Sequence, residues 1–125
     1  DRDVLIEGTT VATFTIADNA PLIKTDGEIS AFFSSSSDRN LKNNIVPISN
    51  ALDKINAISG YTFSWKKDGK QDTGVIAQEI EALGLPGITT RREDGTLSVK
   101  YDQLIPILVE AIKDLTKKVD SLENK

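Results

Sequence analysis

Ser37, Asp38 and Lys42, in the stretch FFSSSSDRNLKNNI from Phe32 to Ile45, are the residues whose types and spacing could do chemistry. The chain has no histidine and no cysteine, which removes the commonest general base, the commonest metal ligand and the thiolate nucleophile. Nucleophilic work then falls to a hydroxyl, and its simplest partner is a lysine amine held neutral by burial or by a neighbouring positive charge. Ser37 and Lys42 stand five residues apart. Neither a straight strand nor a helix turns side chains at that spacing toward each other, so a bend must fold Lys42 back over Ser37. Asp38, Asn40 and Asn43 are residues that form such bends. On spacing alone a plainer reading stands beside this one: Ser34 to Ser37 as a linker, Ser37 or Asp38 as a cap, and Lys42 in solvent.

At 125 residues, with 38% hydrophobic and 27% charged residues, the chain has the length and composition of one ordinary folded domain, or of one domain with part of another attached. A net charge of −4 argues against a nucleic-acid partner. The apolar runs fall far short of the roughly 20 residues of a membrane span, and the start DRDVLIEG lacks the basic-then-apolar layout of a signal peptide. No membrane partner, metal or cofactor is expected. Without cysteine the redox compartment is undetermined, and the missing initiator methionine suggests a piece of a longer protein.

The elements that must position these residues fall into two regions. DVLIEGTTVATFTIADN alternates, with Ala12, Phe14 and Ile16 on one side and Val11, Thr13 and Thr15 on the other, which is strand patterning. Pro21 marks a break and Asp26-Gly27 a turn, and no helical period precedes Ser34. Asp1 to Phe33 therefore reads as short strands with too little apolar material for a core of its own. After the serines, ISNALDKINAISG predicts a helix with Ala51, Leu52, Ile55 and Ile58 on one face, Ser49 or Asn50 as its cap and Gly60 as its stop. GYTFSWKKDGK predicts a strand ending in a glycine turn, whose Tyr61, Phe63 and Trp65 anchor the core. TGVIAQEIEALGLPG predicts a buried strand running into a short helix closed by Gly84 and Pro86. ITTRREDGTLSVKY predicts a hairpin with Asp94-Gly95 as a two-residue turn.

The last segment, residues 102–125, is helical by period, with Asp102 as its expected cap and Pro106 in or just after the first turn. Ile105, Ile112 and Val119 fall on a positions and Leu108, Leu115 and Leu122 on d positions. A lone amphipathic helix lying on its own domain explains one apolar stripe, but a strict heptad favours self-association, and Ile/Val at a with Leu at d favours two strands. The fold class is α+β: a small mixed domain of short strands and helices that ends in a long coiled-coil helix and follows a β-rich segment.

Three blocks, SDRNLKNNIVPISNALDKINAISGYTFSWK, GVIAQEIE and VKYDQLIPILVEAIKDL, resemble in order and spacing the C-terminal intramolecular chaperone domain of phage tail fibres and tailspikes, peptidase family S74. The resemblance covers residues 37–125. It implies a self-cleaving serine endopeptidase in which Ser37 is the nucleophile and Lys42 the base, with the scissile bond between Ser36 and Ser37. Asp38 belongs to the same motif. Gln78 and Glu79, in the GVIAQE block, are candidate supporting residues, with a core strand and helix cap as the alternative for that block. Residues 1–36 would then be the β-structured end of a fibre and residues 37–125 the chaperone. The partners implied are two identical chains in a homotrimer, against the two-strand hint of the heptad, and the upstream fibre of the same polypeptide. The implied location is the virion tail fibre, with the chaperone folding in the bacterial host cytoplasm before release. A trimerisation domain that is never cut is the rival from a different class, and a serine-lysine protease acting on other proteins a weaker one.

Overall fold

The computed structural model describes residues 28–125 throughout and, before them, the backbone of three strands. The chain divides into two compact units, Asp1–Asn43 and Asn44–Lys125. In the first, β1 (Arg2–Ile6), β2 (Thr9–Ala17) and β3 (Ala20–Lys24) form an antiparallel sheet in the order β1-β2-β3. Ile6 pairs with Thr9 and Ala17 with Ala20, and the register shifts between Val4 and Leu5. Pro21 does not break a strand as expected; it lies inside β3, opposite Ile16. Because β3 is an edge strand, a residue without an N–H is tolerated there. The Asp26-Gly27 turn and the facing of Ala12, Phe14 and Ile16 lie outside the described residues. From Glu28 to Asp38 the chain has no regular structure, and Phe32 and Phe33 are exposed.

The second unit is built on Ile80, Ile88 and Ile107, all buried, with Ile48, Ile55, Ile58, Val75, Leu83, Leu85, Val99 and Leu104 half-buried around them. Helix α1 (Ala51–Asn56) packs against the long helix α3 (Ile105–Glu123), and each carries a buried alanine, Ala51 and Ala111. Asn50 occupies the cap position of α1 in a left-handed conformation, yet its side chain caps nothing. The carboxylate of Asp114 on α3 instead accepts from the Leu52 N–H at 3.4 Å, so the first turn of α1 finds a partner on another helix. Helix α1 also ends before Gly60, with Ala57 as its last cap. The Ser59 N–H turns to a carboxylate oxygen of Glu79, at 3.2 Å, which draws the chain out of the helix.

Strands β4 (Tyr61–Ser64) and β5 (Gln71–Gly74) form a two-stranded ribbon, with Gly69 in the turn that joins them. The aromatic strand does not anchor the core. Tyr61 is 37% and Trp65 47% exposed, and Phe63 meets the Trp65 ring edge-on at 5.0 Å. The reason is the partner: β5 is the polar run QDTG and begins earlier than expected, and among the described residues no third strand joins the ribbon. Val75, expected within a buried strand, lies past the end of β5. Its N–H is given to the Tyr101 hydroxyl at 3.1 Å rather than to a ladder. The same hydroxyl sits directly over Gly74, where a Cβ would collide with it.

Helix α2 (Ala77–Glu81) follows, closing near Gly84. Strands β6 (Thr89–Arg91) and β7 (Leu97–Val99) make the expected hairpin, with Arg91 opposite Leu97. Its turn is longer than two residues. The Arg92 N–H bonds to Thr96, the Gly95 N–H bonds back to Arg92, and Gly95 takes φ +87°, so the glycine follows a tight turn instead of forming its centre. Asp94 braces the loop by accepting from the hydroxyl and then the backbone N–H of Thr96, which holds its carboxyl below the ordinary aspartate value.

The final helix starts at Ile105, later than expected. Tyr101–Leu104 form a 3-10 turn, and the Asp102 carbonyl accepts from the Ile105 N–H, so Leu104 and not Asp102 holds the cap position. Pro106 sits in the first turn, where no N–H is needed. One face of α3 buries Ile107 and Ala111 in its own unit, while Ile105, Leu108, Ile112, Leu115, Val119 and Leu122 are 44% to 66% exposed. The heptad stripe is therefore not the face that the helix lays on its own domain.

The Tyr101 ring can escape an added methyl at Gly74 only by giving up the Val75 N–H. Gly74→Ala should therefore cost about 1–3 kcal/mol of unfolding free energy by denaturant titration. The same change should cost less in a Tyr101→Phe background; equal penalties in the two backgrounds would show that the hydroxyl is not the obstacle.

Candidate functional site

The exposed run Ser34 to Ser37 enters a single 3-10 turn, Arg39–Leu41, and Asp38 stands at its N-cap in an extended conformation. The Asp38 carboxylate accepts the Asn40 N–H at 2.9 Å, and its carbonyl accepts the Leu41 N–H at 3.0 Å. The Lys42 N–H closes the turn on the Arg39 carbonyl at 3.1 Å, and Lys42 itself is extended. One tight turn thus reverses the chain, and the Lys42 ammonium donates to the Ser37 hydroxyl with Nζ and Oγ 2.6 Å apart. Were the amine neutral, the same contact would run the other way, with the hydroxyl donating to nitrogen. Both residues are exposed in the single chain.

Gln78 and Glu79 belong to the second unit, in the first turn of α2. Gln78 is exposed. Glu79 is committed within its own unit: one carboxylate oxygen accepts the Tyr61 hydroxyl at 2.6 Å and the other the Ser59 N–H. That hydrogen bond favours the neutral phenol and raises Tyr61 above the ordinary tyrosine value. No run of neighbouring residues announces the pairs Tyr61–Glu79, Leu52–Asp114 and Val75–Tyr101, whose members meet only once the elements are folded together. Among the described residues no cluster of three or more acidic groups is placed to hold a metal ion.

Residues 37–88 match the family model Peptidase_S74, the chaperone of endosialidase, and the match opens on Ser37 itself. This segment belongs to the Peptidase_S74 family. The chain is also similar to the long tail fiber protein Gp37 of Salmonella phage S16, 35% identical over 101 residues that make up 72% of this chain and 13% of that protein. Similarity to Gp37 of Enterobacteria phage K3 is of the same order, 35% over 98 residues, with 71% of this chain and 8% of that protein covered. The chain spans only about a tenth of the length of these relatives. Within the Peptidase_S74 segment lie the Ser37–Lys42 contact, helices α1 and α2, the β4–β5 ribbon and the core residues Ile80 and Ile88.

Because the folded state raises the Tyr61 value, the pair's contribution to stability is fully present below the unfolded tyrosine value of about 10. It is lost as pH rises through the folded value. A tyrosinate absorbance titration should show Tyr61, isolated by comparison with Tyr61→Phe, ionising later than a free tyrosine. Glu79→Gln should move that ionisation downward. An unchanged titration in Glu79→Gln would remove the carboxylate as its cause.

Proposed function

We propose that residues 37–125 are the intramolecular chaperone of a phage tail fibre or tailspike, and that they release themselves by cutting the Ser36–Ser37 bond. The observation that carries this reading is the 2.6 Å separation of Lys42 Nζ and Ser37 Oγ across one turn, at the residue where the family match begins. Neutral Lys42 takes the hydroxyl proton of Ser37, and Oγ attacks the carbonyl carbon of Ser36. The tetrahedral intermediate collapses by breaking the C–N bond, and the lysine proton passes to the departing nitrogen. The Ser36 acyl group is left as an ester on Oγ with a free amine on Ser37. Water then hydrolyses that ester, giving a Ser36 carboxylate and restoring the hydroxyl. Nucleophile and carbonyl belong to adjacent residues, so proximity is supplied by the covalent chain. Both Ser37 and Lys42 leave with the chaperone, which makes the reaction a single turnover in cis.

Chaperoning follows from the exposed stripe on α3. Covering what remains exposed of each heptad side chain contributes on the order of 1 kcal/mol. Summed over three helices, this is comparable with the cost of the two associations that make a trimer, about 4–15 kcal/mol each. Identical chains are the occupants we assign to that stripe, and a homotrimer is the state we assign, following the family over the two-strand preference of the heptad. Trimerising the chaperone aligns three fibre chains before their slow, non-local strand pairing begins. Cutting it away afterwards removes the element that guided folding and leaves the fibre kinetically trapped. Residues 1–36 are then the fibre's end, a part of the virion, and the chaperone acts in the host cytoplasm.

Freshly expressed chain, run on a denaturing gel and weighed intact, should separate into residues 1–36 and 37–125, while Ser37→Ala and Lys42→Ala stay whole. A wild type that stays whole under folding conditions supports a trimerisation domain that is never cut, and cleavage that persists in Ser37→Ala removes the nucleophile. Sedimentation should find a trimer, and Ile112→Asp, on the exposed stripe, should reduce it to monomer while circular dichroism keeps the second unit's fold. A trimer that survives Ile112→Asp would place the contact elsewhere.

A further inference from the structure

We infer that Asp38 is a positioning residue for the Ser37–Lys42 pair, acting as an uncharged hydrogen-bond acceptor would, by fixing the turn that returns Lys42 to Ser37. The inference rests on the proposed self-cleavage for its kinetic consequence, but not for its geometry. Among the described residues no other side chain holds Lys42 back over Ser37: the turn is three residues long, exposed, and carries no buried side chain. Its bonds are the Leu41 and Lys42 amides closing on the carbonyls three residues before them, and the Asp38 carboxylate on the Asn40 amide. Only the last of these is made by a side chain.

A carboxylate one residue after the nucleophile could instead work through its charge, by pairing with the lysine. The structure argues otherwise. Among the described residues the ion pairs are Arg91–Glu81 and Lys113–Glu110, and Asp38 is in neither. The lysine nitrogen is directed at the serine oxygen, and the carboxylate is directed into the turn. An N-cap needs an acceptor oxygen and not a charge, since asparagine caps about as well as aspartate and alanine does not. The two roles therefore separate on substitution.

The test compares Asp38→Ala and Asp38→Asn in the whole chain, with two readouts. The first is the rate at which intact chain disappears after folding, with sedimentation confirming the same assembly in each variant. Asp38→Ala should slow cleavage about fivefold to tenfold, the effect of losing one cap, and Asp38→Asn should restore a rate close to wild type. The second uses an uncleavable Ser37→Ala background and reads the backbone NMR shifts and amide exchange of Arg39 to Lys42. The turn's signature should be lost with alanine at position 38 and kept with asparagine. Cleavage as fast in Asp38→Ala as in wild type, or a turn that persists in it, overturns the inference. An asparagine variant as slow as the alanine variant overturns it in favour of a charge role. If the wild type does not cut at all, the self-cleavage reading fails, and the NMR comparison still decides whether Asp38 holds the turn.

Discussion

Helix α3 carries more apolar surface than its own unit can cover, and the second unit is arranged around that constraint. Ile107 and Ala111 are spent on the local core, and the heptad residues point elsewhere. The core they join is small: among the described residues Ala51, Ile80, Ile88, Ile107 and Ala111 are the buried apolar side chains. A helix with one face committed and another left over ties folding of the unit to whatever covers the second face. The carboxylate of Asp114 strengthens that link, because the first turn of α1 finds its hydrogen-bond partner on the same helix. A change in how α3 is held is thus felt at α1, which begins the second unit's packed structure.

The Ser37–Lys42 contact obeys a different logic. It is made by a few consecutive residues, belongs to the first compact unit, and depends on one turn and its cap, without help from a buried core. Local geometry of this kind forms early and reversibly. What a lone exposed pair lacks is a dry setting and donors aimed at a developing oxyanion, the features that give electrostatic catalysis most of its strength. In the proposed self-cleavage that setting is left to the assembled trimer, so the reaction we propose waits for assembly without any separate signal.

Signals carried by neighbouring residues were legible in the sequence. The serine-lysine spacing required a bend and the bend is present, with Asn40 inside it as expected, although its 3-10 form was not evident. The heptad of α3 was legible because a period of seven survives in any environment, and its exposure separates it from the face that packs locally. The aromatic strand misled because Tyr61, Phe63 and Trp65 signal burial only when something lies over them, and a two-stranded ribbon of polar β5 offers little. Asp102 and Gly60 were reasonable helix boundaries by local rule, but the observed ends are set by Pro106 and the 3-10 turn before it and by the reach of Glu79 to Ser59. Such distant partners leave no mark on a short window of residues.

The hydroxyl of Tyr101 resting on Gly74 has a consequence for how a chain of this kind can drift over time. Neither position is special alone: Gly74 has an ordinary backbone conformation, and the tyrosine ring is half exposed. Together they form a lock in which each residue limits the alternatives open to the other. Sequence change there is expected to be historical and ordered, with the ring losing its oxygen before the glycine can gain a side chain, so that the route taken matters as much as its endpoint.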